Sequence, residues 1–161
     1  MRSPRLWHYT VGKRFDCIAD EGVIIPATAG VPPGETPAVW FSFHQIWEPT
    51  ATKGCIRNGV YSSMTKDEMI NTSGGLVRIA VDRETAPHSW VQYRHLSGID
   101  PSRAKGLARV TTSNGANPND WRVSFNKVTR DKWIAIEKWR NGVWVPLHKL
   151  VPDALEPQRT A

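Results

Sequence analysis

The sequence predicts an α+β fold in which one or two short N-terminal helices accompany six or seven strands of a strongly bent, mostly antiparallel sheet. Short apolar segments bounded by turn residues recur along the chain, and LVRIAV at 76–81 and WIAIEKW at 133–139 are the clearest of them. Asn141-Gly142 follows the second segment and precedes VWVPL, which is a strong hairpin signal. The length of 161 residues fits one domain with one hydrophobic core.

The first third of the chain reads as strand, helix, loop and strand. Residues 5–10 predict a strand, and residues 13–21 predict an amphipathic helix with Phe15, Ile18 and Ala19 on one stripe. Gly22 is well placed to cap the C-terminal end of that helix. Residues 26–37 hold four prolines and two glycines, which predicts a loop before a second strand at 38–43.

The rest of the chain is assigned segment by segment. Residues 48–52 predict a short helix or a turn, and residues 57–75 resist assignment apart from a helix start with Thr65 as N-cap. The remaining predictions are a strand at 76–81, a strand or short helix at 90–96, a basic helix at 101–110, turns at 111–120, and strands at 121–125, 133–139 and 143–147. We expect one domain over 1–151 and a frayed tail over 152–161.

The composition describes a basic globular protein. The chain is 40% hydrophobic, and its formal net charge is +6. Either a polyanionic partner such as nucleic acid or an ordinary solvated basic surface accounts for that charge. Two cysteines without metal spacing, no signal peptide and no membrane-length apolar run predict a cytoplasmic protein without membrane association.

Several familiar catalytic patterns are absent from the sequence. The five histidines show no metal-ligand spacing, so we expect no metal site. The nucleophile elbow G-x-S-x-G, the P-loop and the dinucleotide fingerprint G-x-G-x-x-G do not occur, which disfavours hydrolases of the α/β class and the common nucleotide-binding folds.

Polar side chains gather at the ends of the two N-terminal strands. The first strand contains Leu6-Trp7-His8-Tyr9-Thr10, and the second contains Ala38-Val39-Trp40-Phe41-Ser42. The segment Trp47-Glu48-Pro49-Thr50-Ala51 follows the second strand. A histidine beside a hydroxyl group and an aromatic pair beside a serine suit a flat, sugar-bearing ligand in one cleft. The alternative is structural: His8 is then satisfied by a neighbour, and at least one of Trp40 and Phe41 packs into the core.

Glu137 interrupts an otherwise apolar strand. A period of two places Trp133, Ala135, Glu137 and Trp139 on one face, with Ile134 and Ile136 in the core on the other. Glu137 is then either a surface charge on a half-exposed face or a carboxylate in an aromatic-walled cleft.

These segments resemble the NAD-dependent ADP-ribosyltransferase superfamily, in the branch of diphtheria-type toxins, poly(ADP-ribose) polymerases and bacterial DNA-targeting toxins. The resemblance covers the N-terminal third and reaches the C-terminal hairpin through Glu137. It implies an ADP-ribosyltransferase-like fold and an NAD site without metal. The resemblance implies that His8 holds the NAD ribose, that the Tyr9 backbone holds the nicotinamide carboxamide and that Thr10 supports it. Trp40 and Phe41 match the aromatic element next to nicotinamide, with Ser42 beside them, and Thr50-Ala51 matches the Ser/Thr-Ala step. Glu137 is the implied catalytic glutamate, with Glu48 as its rival.

The resemblance implies transfer of ADP-ribose from NAD to a macromolecule with release of nicotinamide. The acceptor is nucleic acid or protein, with the basic charge favouring nucleic acid, and an inhibitor or antitoxin protein is a further possible partner. The alternatives are an NAD glycohydrolase of the same fold and a non-catalytic nucleic-acid-binding module. Candidate phosphate contacts are Arg103, Lys105, Arg109, Arg122, Lys127, Arg130 and Lys132.

Overall fold

The computed structural model describes residues 4–147. Eleven strands and four α-helices alternate along this part of the chain. In chain order they are β1 (Leu6–Val11), α1 (Gly12–Glu21), β2 (Val23–Ile24), β3 (Val39–Ser42), β4 (Gly54–Arg57), β5 (Val60–Ser63), α2 (Lys66–Asn71), β6 (Leu76–Val81), β7 (His88–Ser89), α3 (Trp90–Leu96), α4 (Pro101–Ser113), β8 (Trp121–Ser124), β9 (Val128–Thr129), β10 (Ala135–Arg140) and β11 (Val143–Pro146). The fold is therefore α+β, as the sequence predicts.

Seven of the strands form one antiparallel sheet that divides into two parts. The order is β11-β10-β6-β1-β3-β8-β7, and every neighbouring pair is antiparallel. β1 pairs with β6 along its whole length, whereas it pairs with β3 only at Trp7 and Ser42. We call that single pair the seam; it joins a four-stranded half-sheet (β11-β10-β6-β1) to a three-stranded half-sheet (β3-β8-β7).

The main core lies between α1 and one face of the sheet. Phe15, Ile18 and Ala19 of the predicted helical stripe are buried there together with Leu6 and Ile79. Gly22 ends the helix as expected: its φ is 67°, and its backbone N–H donates to the carbonyl of Ile18. Helix α1 thus follows directly from β1 and covers one of its faces, while Trp7 and Tyr9 on the other face are buried in a separate cluster.

The segment 111–120 was predicted as turns, and this is wrong for its beginning, because α4 continues to Ser113. Thr111 and Thr112 are helical despite the low helix propensity of threonine, and their hydroxyl groups donate to the carbonyls of Leu107 and Ala108, one turn earlier. A threonine-rich segment is therefore a poor marker of a helix end.

The strand phase of β10 is also partly different from the prediction. Ile136 is buried in the main core, but Ile134 is 37% exposed and Trp133 is buried in its place. A 3₁₀ turn at Arg130–Lys132 precedes these residues, and the strand begins only at Ala135. The period-two rule therefore holds from Ala135 onward and fails before it.

The unassigned segment 57–75 contains a hairpin and a helix. Strands β4 and β5 form an isolated two-stranded hairpin, and α2 begins at the predicted N-cap, Thr65. Thr65 and Glu68 form a reciprocal capping box. The other ambiguous segment, 90–96, is helix α3, which begins with a second capping box at Ser89.

The structure bears only partly on the domain and membrane predictions. The predicted tail over 152–161 lies outside the described residues. Within residues 4–147, no helix is both long enough and apolar enough to cross a membrane.

Candidate functional site

A cavity of about 520 Å³ opens at the seam, where β1 and β3 diverge. Its volume falls in the range of about 300–1,000 Å³ that is typical of small-molecule sites. We call it the seam cleft. Its walls come from the ends of β1 and β3, the loop after β3, the proline-rich loop, and one side of α4.

His8 bridges the seam next to this cleft. Its Nδ1 lies 2.9 Å from the backbone carbonyl oxygen of Trp40. A carbonyl oxygen only accepts, so Nδ1 carries the proton in this bond. In the neutral ring, Nε2 is then left as a hydrogen-bond acceptor.

The surroundings of His8 keep the ring neutral. The pKa of His8 is lowered to about 4, mainly by burial and in smaller part by the positive charges of Lys53 and Arg14, while the bond to the Trp40 carbonyl opposes the shift. His8 at neutral pH is therefore an acceptor at Nε2 and not a cation.

We expect this neutral histidine to make the protein less stable in acid. The folded-state pKa of His8 lies below its unfolded value of 6.5, so the unfolded chain binds more protons as pH falls through the window from 6.5 to 4. Between pH 7 and pH 5 the free energy of unfolding should fall by about 2 kcal/mol from this group alone.

Urea unfolding of the parent and of His8→Asn at both pH values measures that contribution as a difference. The parent should lose more stability than His8→Asn, and His95→Asn, at an exposed position on α3, should follow the parent. Equal losses in the parent and in His8→Asn would contradict a neutral His8 ring.

Glu48 is a buried carboxylate in the wall of the seam cleft. The residue is 5% exposed, and it accepts three hydrogen bonds. Its Oε2 accepts from Ser42 Oγ at 2.7 Å, and its Oε1 accepts from the hydroxyl and the backbone N–H of Thr50 at 2.6 Å and 3.2 Å. Donors on both oxygens fix the orientation of the carboxylate.

The loop that carries Glu48 is held against the four-stranded half-sheet by side chains. Trp7 Nε1 donates to Gln45 Oε1 at 3.0 Å, and the Tyr9 hydroxyl donates to the carbonyl of His44. Arg78 Nη1 donates to the carbonyl of Gln45 at 2.6 Å, and Trp144 Nε1 to that of Ile46 at 2.8 Å. The position of Glu48 therefore depends on residues of β1, β6 and β11.

Both aromatic residues of β3 border the seam cleft, but they pack into different core clusters. Phe41 is buried in the main core, so one member of the pair does pack inward, and its ring centroid lies 5.7 Å from that of His8. Trp40 is half-buried beside the cleft and packs edge-on against Tyr93 and Trp121. Trp40 thus has a fixed ring plane at the cleft wall.

Tyr9 and Thr10 occupy different surroundings. Tyr9 borders the cleft at β1, while its ring lies among Trp47 and Trp144 on the opposite face from His8. Thr10 is buried, and its hydroxyl has no hydrogen-bond partner among the described residues. Thr10 does not border the cleft, so it is placed to support β1 rather than to touch a ligand there.

Glu137 does not reach the seam cleft, which corrects its predicted placement. Across the sheet His8 pairs with Ile79 and then Ile136, whereas Glu137 pairs with Arg78 and then Tyr9. Adjacent residues of a strand face opposite sides, so Glu137 and His8 lie on different faces of the half-sheet.

The Glu137 carboxylate is instead engaged by Arg78. Arg78 Nε donates to Glu137 Oε2 at 2.7 Å, and the two side chains are 8% and 16% exposed. The guanidinium carbon of Arg78 lies 3.7 Å from the ring centroid of Trp7 and 4.4 Å from that of Trp144. The rival glutamate, Glu48, is therefore the one that lines the seam cleft together with His8, Trp40 and Ser42.

Sequence reasoning missed a second buried carboxylate in the cleft wall. Glu35 lies in the proline-rich loop and accepts from the hydroxyl of Tyr93 at 2.7 Å and from Arg103 Nε at 2.8 Å. Its charge is balanced by Arg103, so the network ties the loop to α3 and α4. A Glu between prolines in a long loop carries no periodic pattern that would have revealed this role.

The seven predicted phosphate contacts do not form one surface. Arg103 is paired with Glu35, Arg130 donates to the carbonyl of Ala19, and Lys132 lies 3.7 Å from Asp131. Arg122 is buried at β8. Lys105 and Arg109 are exposed one turn apart on α4, and Lys127 is exposed between β8 and β9.

No group of three or more histidine, cysteine, aspartate or glutamate side chains within residues 4–147 is arranged to hold a metal ion. Comparisons with protein-family models, curated proteins and solved structures found no match to this chain. The site's own geometry is therefore what supports a functional proposal.

Proposed function

We propose that the protein is an ADP-ribosyltransferase that binds NAD in the seam cleft and transfers ADP-ribose to a macromolecule. The observation that supports this most is the presence, in one cavity, of a neutral histidine acceptor, a fixed aromatic wall and a buried carboxylate. On this proposal the split antiparallel sheet is an ADP-ribosyltransferase-like fold.

In the proposed complex, His8 and the β1 edge hold the nicotinamide riboside. Nε2 of the neutral ring accepts a ribose hydroxyl hydrogen, since Nδ1 is already bonded to the Trp40 carbonyl. Strand β1 pairs with β3 only at Trp7, so the peptide groups of residues 8–10 that point toward β3 form no strand pair with it. They offer donors and acceptors to the carboxamide, and Trp40 offers a wall beside the ring.

Glu48 is the carboxylate that we propose acts in the reaction. The bond between ribose C1′ and the nicotinamide nitrogen breaks with its electron pair leaving on nicotinamide, and a nucleophilic oxygen or nitrogen of the acceptor bonds to C1′ and loses a proton. C1′ becomes cationic in the transition state, and a fixed carboxylate nearby stabilises that charge. Ser42 and Thr50 keep Glu48 oriented before NAD arrives.

Basic groups at the cleft offer partners for the pyrophosphate. Lys53 borders the cavity on the stretch that follows Thr50, and Arg103 borders it from α4. Arg103 already pairs with Glu35, whereas Lys53 is in none of the salt bridges found within residues 4–147. Lys53 is therefore the better candidate to bind the pyrophosphate. A lysine serves this purpose as a point charge.

The acceptor in this proposal is nucleic acid or protein, and the net charge of +6 favours nucleic acid. Hydrolysis of NAD by water is the same chemistry with a smaller nucleophile. Both cysteines are unpaired, which fits a role in the reducing cytoplasm, where an inhibitor or antitoxin protein would meet it.

Nicotinamide release from NAD tests the proposal. Purified protein should release nicotinamide in the presence of DNA, RNA or protein substrates, and NAD should raise its thermal unfolding midpoint. Release with water alone would identify the glycohydrolase instead. If the protein binds nucleic acid but NAD is neither cleaved nor stabilising, the proposal is wrong and the protein is a non-catalytic nucleic-acid-binding module.

A further inference from the structure

A second cavity lies on the outer part of the three-stranded half-sheet and shares no lining residue with the seam cleft. It measures about 540 Å³ and lies between the 3₁₀ turn at Arg83–Thr85, β7 with the start of α3, and β8. Its lining residues are Arg83, Glu84, Pro87, Ser89, Gln92 and Arg122.

Arg122 is the unusual group in this cavity. The residue is only 9% exposed, its Nε has no hydrogen-bond partner, and Nη1 makes one long bond of 3.4 Å to the carbonyl of Pro87. A buried guanidinium normally satisfies most of its five N–H donors, because an unpaired one loses its hydration without compensation. Arg122 therefore has donors to spare beside an open cavity.

Arg83 adds a second positive charge to the same place. The guanidinium carbons of Arg83 and Arg122 lie 5.9 Å and 5.7 Å from the ring centroid of Phe43. Neither guanidinium forms an ion pair within residues 4–147, although the carboxylate of Glu84 lines the same cavity. Burial and the charge of Arg83 lower the pKa of Arg122, which reflects this uncompensated pair.

Two other polar side chains of the cavity act as acceptors in the capping box of α3. The Gln92 backbone N–H donates to Ser89 Oγ, and the Ser89 backbone N–H donates to Gln92 Oε1. The positively charged donors of the cavity therefore belong to the two arginines, beside the neutral Ser89 hydroxyl and Gln92 amide N–H groups. Two neighbouring guanidinium groups without a carboxylate partner suit a tetrahedral dianion or a phosphodiester, to which arginine binds through paired N–H groups.

We propose that Arg83 and Arg122 form a phosphate-binding site that is separate from the seam cleft. The ligand is a phosphate group, supplied either by free phosphate or by a nucleic-acid backbone. The site does not depend on NAD binding, so it stands or falls independently of the proposed transferase activity.

Titration with inorganic phosphate, at ionic strength matched with chloride, tests the site. Arg83→Gln removes an exposed charge, and Arg122→Lys keeps the charge but loses the guanidinium fork. Both should weaken phosphate binding about five- to ten-fold. Arg140→Gln is the matched control, because it removes an exposed charge from β10, near the opposite edge of the sheet.

A second titration with a fluorescent single-stranded oligonucleotide identifies the source of the phosphate. Weaker oligonucleotide binding by Arg83→Gln than by Arg140→Gln would assign the site to the nucleic-acid backbone. A defect confined to inorganic phosphate would assign it to free phosphate. Equal binding of both probes by the parent, the two site variants and the control, or no binding by the parent, would overturn the proposal. The thermal stabilisation that NAD gives to Arg83→Gln should match that of the parent in every case, because the seam cleft shares no lining residue with this cavity.

Discussion

Glu48→Gln should lower the rate of nicotinamide release by about 100- to 1,000-fold, the scale of losing one preorganised electrostatic contact to a transition state. The substitution keeps the shape of the side chain and removes its charge. NAD binding should change little, because the charge at C1′ develops only as nicotinamide leaves. The measurement is the initial rate at saturating NAD, with NAD-dependent thermal stabilisation as the binding readout.

The matched control for Glu48→Gln is Glu137→Gln, the same chemical change at the other candidate glutamate. Glu137 lies on the opposite face from His8 and is engaged by Arg78, so its variant should keep most of the rate when assayed well below its own unfolding midpoint. The reverse result, with Glu137→Gln inactive and Glu48→Gln active, would restore the assignment that the family resemblance implies and refute the one proposed for the cleft.

Arg78→Met should lower the free energy of unfolding by about 3–5 kcal/mol, because removal of one partner leaves the other charge buried without compensation. The Glu137 side chain is 16% exposed, and no other described ion pair contains its carboxylate. The bond from Arg78 to the carbonyl of Gln45 is lost as well, which loosens the loop that carries Glu48. Urea unfolding at pH 7 measures the loss.

A double-mutant cycle separates the ion pair from the packing of Arg78 between two tryptophans. Arg78→Met combined with Glu137→Leu should recover much of the loss, since the unpaired carboxylate is gone. If the two single losses simply add, the pair contributes no coupling and the destabilisation comes from the contacts of Arg78 with Trp7 and Trp144.

The elements that the sequence predicts well are those whose signal is local. The strand at 76–81, the helix stripe of Phe15 and Ile18, the Gly22 cap and the Thr65 N-cap depend on neighbouring residues, and the structure contains each of them. The predicted end of α4 was wrong because the low helix propensity of Thr111 does not by itself end a helix; Thr111 stays helical, and its hydroxyl group donates to the carbonyl of Leu107.

The site was predictable only in part, for a reason of strand phase. The family resemblance predicts that His8 and Trp40 lie in one cleft. In the structure, His8 Nδ1 is hydrogen-bonded to the backbone carbonyl of Trp40. Whether Glu137 shares a face with His8 depends on cross-strand register, which a single sequence does not encode locally: one residue of shift would move Glu137 to the other face.

The seam has a consequence for how the protein loses its structure. Neighbouring strands are usually joined by a row of peptide hydrogen bonds, which do not depend on the side chains. Strands β1 and β3 are instead paired only at Trp7 and Ser42. The remaining hydrogen bonds across the seam come from side chains: Trp7, His8 and Tyr9 of β1, together with Arg78 of β6 and Trp144 of β11, bond to β3 or to the loop that follows it. It follows that the cooperativity between the two half-sheets depends on side chains that are open to change by substitution, and that the segment of β1 that lines the seam cleft also helps to couple the halves.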